Sequence, residues 1–211
     1  MASEKSILTG QYSHVNGATT LAGKIDPEAD NVAKRLQATG YETAVIGKWH
    51  LKTQPAGFDY YNVLRGQGRY NNPILYELGK DWKKGGREHE GHSTDVITDQ
   101  ALGWLRNRKA QEKPFCLMCH FKAVHEPFYS HDRYRDLYAG VEFPEPEDLF
   151  WPESPRGKRF EGWPLELLAE RYTKNADRYA PPGIKVRGKD AKAIRRPSSK
   201  TAARTLQGSW N

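Results

Sequence analysis

The chain has 211 residues and a mass of 24.1 kDa, the size of one domain or part of one. Its mean hydropathy of −0.85 and the lack of any window near the about 20 consecutive apolar residues of a bilayer span exclude a membrane helix, and Met1 to Lys5 opens no apolar run that could serve as an export signal. Of its 33 basic and 26 acidic residues, eight bases and one acid lie from Gly183 onward, leaving 25 of each before it, so the excess charge belongs to a terminal segment and not to a folded polyanion-binding face.

In chain order, Ser6 to Tyr12 reads as a short helix or turn. Asp26-Pro27-Glu28 combines an Asx cap, a proline at the first helical position and an acid in the first turn. A helix is expected from there to about Thr39, with Val32, Ala33 and Leu36 inward and Gly40 as its stop. Tyr41 to Ile46 reads as a strand leading into the loop Gly47-Lys48-Trp49-His50-Leu51, which gives the helix, turn and strand of an α/β unit.

Gly57 to Glu77, rich in Tyr, Asn and Gly, suggests short strands or loops around a pocket and no helix. Ser93 or Thr94 is expected to cap a helix reaching about Asn107, with Ile97, Ala101, Trp104 and Leu105 on one face. Pro114 to Phe121 is a continuous apolar run, as for a buried parallel strand. It runs into Lys122-Ala123-Val124-His125-Glu126-Pro127-Phe128. Val141 to Pro164 reads as an ordered surface loop. From Gly183 on, the basic segment reads as disordered.

Two loops follow predicted strands at their C-terminal ends, where open α/β sheets place ligands. Alternation in an extended segment puts Lys48 and His50 on one side, and the other loop carries His125. Converging on one crevice, the three would suit an anionic ester: the lysine neutralises charge and a histidine protonates a leaving oxygen. On spacing alone, a solvated lysine and structural histidines are the simpler reading. Cys116-Leu117-Met118-Cys119-His120 matches the C-x-x-C-H pattern of haem attachment. Strand alternation sends its two thiols to opposite faces, so buried core cysteines are expected instead. Gly66-Gln67-Gly68 and Gly85-Gly86 lack the strand-to-helix setting of a phosphate cradle.

Three of these segments carry a family resemblance. Ser6-Ile7-Leu8-Thr9-Gly10-Gln11-Tyr12 resembles the end of the type I sulfatase signature, in which Cys-x-Pro-Ser-Arg precedes a Leu-Thr-Gly run. Gly47-Lys48-Trp49-His50-Leu51 resembles the second signature of that family, and Lys122 to Phe128 its Lys-Ala-Pro-His-x-Pro-Phe loop, with Val124 in place of proline. The similarity extends from about Ser6 to about Arg196. Gly57-Phe58-Asp59-Tyr60-Tyr61-Asn62 and Tyr70-Asn71-Asn72-Pro73 look most like the branch acting on N-acetylglucosamine 6-sulfates and related glycans.

The resemblance implies an α/β fold, a partial alkaline-phosphatase-like open sheet flanked by helices, with a partial catalytic domain over residues 1–182 and a basic tail over 183–211. It implies that Lys48 contacts sulfate, that His50 helps the covalent intermediate break down, and that His125 binds sulfate or protonates the leaving group. The family uses a formylglycine nucleophile beside calcium. Counting back from Ser6, the signature arginine falls on Glu4, the proline on Ala2 and the nucleophile before Met1, while the calcium ligands fall outside the chain. The expectation is therefore a sulfatase-like chain, acting in its intact relatives on sulfated sugars or aryl sulfates, that folds marginally and is inactive alone. Relatives of this kind are usually exported. The alternatives are a catalytically dead domain that still binds sulfated glycans and a nucleic-acid binder acting through the basic tail.

Overall fold

Ala44, Val45 and Ile46 are wholly buried, because the strand that carries them is covered on both faces and paired on both edges. This strand, β1 (Glu42–Trp49), lies between β2 (Tyr60–Arg65) and β5 (Phe115–His120), both parallel to it. β2 pairs antiparallel with β3 (Ile74–Glu77), and β3 with β4 (Arg87–Glu88), giving the order β4-β3-β2-β1-β5. The computed structural model describes residues 2–20, 23–108 and 111–144, in two units, Met1–Val124 and His125–Asn211. The expected boundary near residue 182, the basic tail, and the surface loop from residue 145 on lie outside the described residues. Over 141–144 that loop has no regular structure.

Side chains alternate across the sheet as the strand period requires. Val45, Trp49, Tyr61 and Val63 face one layer, where they pack with Leu8 of α1 (Ala2–Thr9) and Ala33 of α2 (Val32–Ala38). Ile46, Leu117 and Cys119 face the other, against Ile97 and Ala101 of α3 (Ser93–Asn107). Among the described residues no helix is long and apolar enough to cross a membrane.

Several expectations shift. The first helix begins at Ala2, earlier than Ser6, and ends at Thr9. Asp26 caps no helix: its Oδ1 accepts from the Glu28 N–H at 2.9 Å in a local turn. The helix starts at Val32, capped by Asn31, whose Oδ1 accepts from the Lys34 N–H at 3.0 Å and whose amide reaches Ala56 O. A cap that also bonds a distant loop outweighs the local Asp-Pro signal. Of the expected inner face, Ala33 is buried, Leu36 half-buried and Val32 exposed. His92, not Ser93 or Thr94, caps α3, its Nδ1 accepting from the Thr94 N–H at 3.3 Å. β5 is parallel as expected but only half-buried, with Phe115 44 % exposed, because among the described strands it pairs with β1 alone.

Arg108 ties three elements at the end of the sheet away from the Lys48 loop. Its Nε donates to Glu42 Oε2 at 2.9 Å, its Nη2 donates to Lys113 O, and its guanidinium carbon lies 4.3 Å from the Phe115 ring centroid. Arg108→Ala strands the mostly buried Glu42 carboxylate, so a loss of about 3 kcal/mol is expected. Chemical denaturation of both proteins measures it. A loss below about 1 kcal/mol, the size of an exposed pair, would show that burial does not matter here.

Candidate functional site

At the C-terminal end of β1 the backbone itself is specialised. Gly47 has φ +101°, and a Cβ on it would stand 1.9 Å from the His120 carbonyl oxygen of β5. The two strands approach so closely here that no side chain fits, and β1 continues through Gly47 to Trp49 rather than turning into a loop at Gly47 as expected.

Lys48 follows on β1. Its Nζ donates to Gln67 Oε1 at 2.9 Å, and burial pulls its pKa down, opposed by the nearby Glu4 carboxylate. His120 Nδ1 donates to the Lys48 carbonyl at 3.3 Å. Burial lowers the imidazole pKa below its usual value, so that ring is neutral at physiological pH. Glu4, reaching in from α1, receives the His50 N–H, with 3.4 Å to each carboxylate oxygen. Burial raises its pKa, while the His50 N–H and Lys48 act in the other direction. Lys48, Glu4 and His120 border one recess of about 420 Å³, completed by Met118, Cys119 and Phe121.

The structure therefore places Lys48 and the His50 N–H around a single carboxylate. As a residue, His50 borders a different and larger cleft of about 680 Å³, with Trp49 and Arg65. His125 lies in the second unit, half-buried, where Nδ1 donates to Glu126 O at 2.8 Å. Lys122, which precedes it in the first unit, is 3 % exposed and holds its ammonium 4.6 Å from the Tyr70 ring centroid.

Nothing local in the sequence marks His120 or Gln67 as a site residue. His120 lay inside the apolar run read as core. Gln67 lay in a glycine turn whose only local signal was flexibility. Glu4 had a signal, the register that aligns it with the signature arginine, but its approach to residues 46 positions away is a tertiary fact.

Among the described residues no group of three or more His, Cys, Asp or Glu could hold a metal. The recess offers one ammonium, one neutral imidazole and one carboxylate. Calcium takes about six to eight oxygen ligands, so these residues do not fit it. Cys116 and Cys119 are free, half-buried thiols whose pKa values burial raises. They supply neither a thiolate ligand nor an activated nucleophile.

The sulfatase family profile matches residues 1–180 of the chain. An N-acetylglucosamine-6-O-sulfatase of Bacteroides thetaiotaomicron is 42% identical over 159 residues, 74% of this chain and 27% of that protein. An arylsulfatase of Clostridium perfringens is 25% identical over 197 residues, 75% of this chain and 41% of that protein. A solved structure of a protein in complex with its substrate D-glucosamine-2-N,6-O-disulfate superposes with a TM-score of 0.69 at 33% identity, covering 98% of this chain and 44% of that one. The chain thus spans less than half the length of each of these relatives.

Proposed function

This chain belongs to the sulfatase family, and we propose that the end of β1 is the anion-binding part of a pocket for sulfate esters, with a 6-sulfated amino sugar as the substrate class. The observation that supports this reading is the half-buried Lys48 ammonium at the C-terminal end of a parallel strand, inside the region the family profile covers. A cation withdrawn from water interacts more strongly with an anion than a solvated one does. Lys48 holds the sulfate oxygens. His50, whose N–H meets the Glu4 carboxylate beside Lys48, is the proton carrier of the reading within this unit, since imidazole is the side chain whose ordinary pKa lies near neutrality. The substrate class follows the relatives acting on glucosamine sulfates; aryl sulfates are the second class.

Titration calorimetry of the chain with N-acetylglucosamine 6-sulfate, against the unsulfated sugar, tests the reading. Saturable heat with the sulfated sugar alone is expected, and equal behaviour of the two sugars would end it. No release of sulfate is expected from these 211 residues by themselves. Neither Cys116 nor Cys119 is followed by the x-Pro-Ser-Arg context in which the family makes its nucleophile.

Glu4 sets the pH dependence. Its carboxylate shares the recess with Lys48, so when ionised it repels a sulfate and partly neutralises the lysine. Because burial raises its pKa, it is neutral over a wider acid range than an ordinary glutamate. Sulfated-sugar affinity therefore rises as pH falls through that raised value. The protein's own stability moves the same way: the contribution of a carboxyl raised in the fold is complete below its ordinary pKa and is lost as pH climbs through the raised one. Glu4→Gln removes the repulsion, and an affinity gain of about tenfold at neutral pH, with a flattened pH profile, is expected. A Glu4→Gln protein whose pH profile matches that of the parent would show that another group titrates.

A further inference from the structure

The cleft bordered by His50 is distinct from the Lys48 recess and is more basic. The ends of β1 and β2, β3 and the turn after it enclose about 680 Å³, bordered by Lys52, Arg65, Arg69 and Lys83. The guanidinium carbon of Arg65 lies 4.5 Å from the ring centroids of both Tyr76 and Trp82, and its Nη1 donates to the Trp82 carbonyl. The two ring centroids are 5.8 Å apart, so they form a corner that holds a planar fork of five donors, of which, among the described residues, one is committed to the protein.

The loops that carry the lysines are pinned as well. Trp49 Nε1 donates to Thr53 O at 2.7 Å, which holds the bend where Lys52 sits at φ 65°. Asp81 Oδ1 accepts from the backbone N–H groups of Lys83 and Lys84 at 2.8 and 2.6 Å, so that carboxylate is turned toward the backbone of its own loop. Among the described residues neither Lys52 nor Lys83 pairs with a carboxylate. Arg69 pairs with Glu88 at 2.9 Å, but both side chains are more than half exposed, and such a pair exchanges readily.

We propose that this cleft is a second anion subsite, which takes a carboxylate or sulfate on the sugar next to the one held at Lys48; Gln67, which holds the Lys48 ammonium, stands between Gly66 and Gly68 of the cleft's border. Four cations around one concavity exceed what solubility asks of a segment whose first 182 residues balance at 25 bases and 25 acids. The charge is local, and this fits a short anionic saccharide better than a polyanion that demands a long basic track. Tyr76 and Trp82 are occupied by Arg65, so they build the site rather than stack on bases. Arg65 supplies the bidentate donor and Lys52 and Lys83 the mobile charges around it.

The subsite rests on the sulfatase reading, since it needs an anionic sugar to be delivered, yet it is separable from it by experiment. The full chain is titrated with N-acetylglucosamine 6-sulfate and with a defined disaccharide bearing one uronate and two sulfates. The parent is compared with the double variant Lys52→Asn, Lys83→Gln; both side chains are exposed, and asparagine tolerates the left-handed backbone at position 52. Disaccharide affinity is expected to fall about tenfold and monosaccharide affinity less than about twofold. Glu88→Gln, which releases Arg69, should strengthen the disaccharide alone. An equal change for both sugars, or no change for the disaccharide, overturns the subsite. If the monosaccharide fails to bind the parent while the disaccharide still responds to the two lysines, the Lys48 reading falls and the subsite stands.

Discussion

Gly47→Ala will cost about 4 kcal/mol, a large part of the ~5–15 kcal/mol that holds a domain folded. Two effects add. A non-glycine residue at φ +101° carries backbone strain of about 1–3 kcal/mol. The added methyl also meets the His120 carbonyl oxygen at 1.9 Å and the Ile97 side chain at 3.1 Å. Backbone cannot step aside without parting β1 from β5, whose register aligns Gly47 with His120. Gly40→Ala separates the two effects: it has φ +91° but nothing within 4 Å of the new Cβ. It should lose only the strain, about 1–2 kcal/mol. Urea denaturation of both variants reads the difference through the midpoint at constant slope. Equal losses would mean that the close approach of the two strands is not what position 47 demands.

That glycine also marks where local reading reaches its limit. The α/β succession, the α3 face of Ile97 and Ala101, and the parallel strand ending at His120 were legible, because each rests on periodicity within one segment. Gly47 followed by Lys48 has the local signature of a turn. The chain instead continues as strand, because β2 and β5 pair with it on either edge through Trp49 and Gly47. Asp26-Pro27 is a strong local cap that loses to Asn31, whose amide bonds Ala56 25 residues away. The aromatic corner that holds Arg65 has no local signature, since Tyr76 and Trp82 join it only through strand pairing and the turn after β3. At the site, Lys48 and His50 could be singled out from their motif. Glu4, His120 and Gln67 come to Lys48 from α1, from β5 and from the turn after β2, and no spacing within one segment encodes that meeting.

Lys48 is where the proposed function can be tested with the largest effect on binding. Lys48→Met keeps the aliphatic stem that lines the recess and removes the charge, so packing and electrostatics are separated. Loss of a charge-assisted contact in a partly desolvated site is worth about 1.5–3 kcal/mol, or roughly ten- to hundredfold in the affinity for N-acetylglucosamine 6-sulfate. A second effect runs through Glu4 and depends on its ionisation. The lysine is one of the groups that hold the Glu4 pKa down. Without it the carboxylate titrates higher still and, where ionised, stands in the recess with no cation to offset it. The two effects are resolved by a double-mutant cycle with Glu4→Gln. If the lysine grips sulfate directly, Lys48→Met weakens binding in both backgrounds. If it only neutralises Glu4, the loss disappears once position 4 is glutamine. A full loss that persists in the Glu4→Gln background places the ammonium on the sulfate. No loss in either background removes Lys48 from the site and takes the proposed function with it.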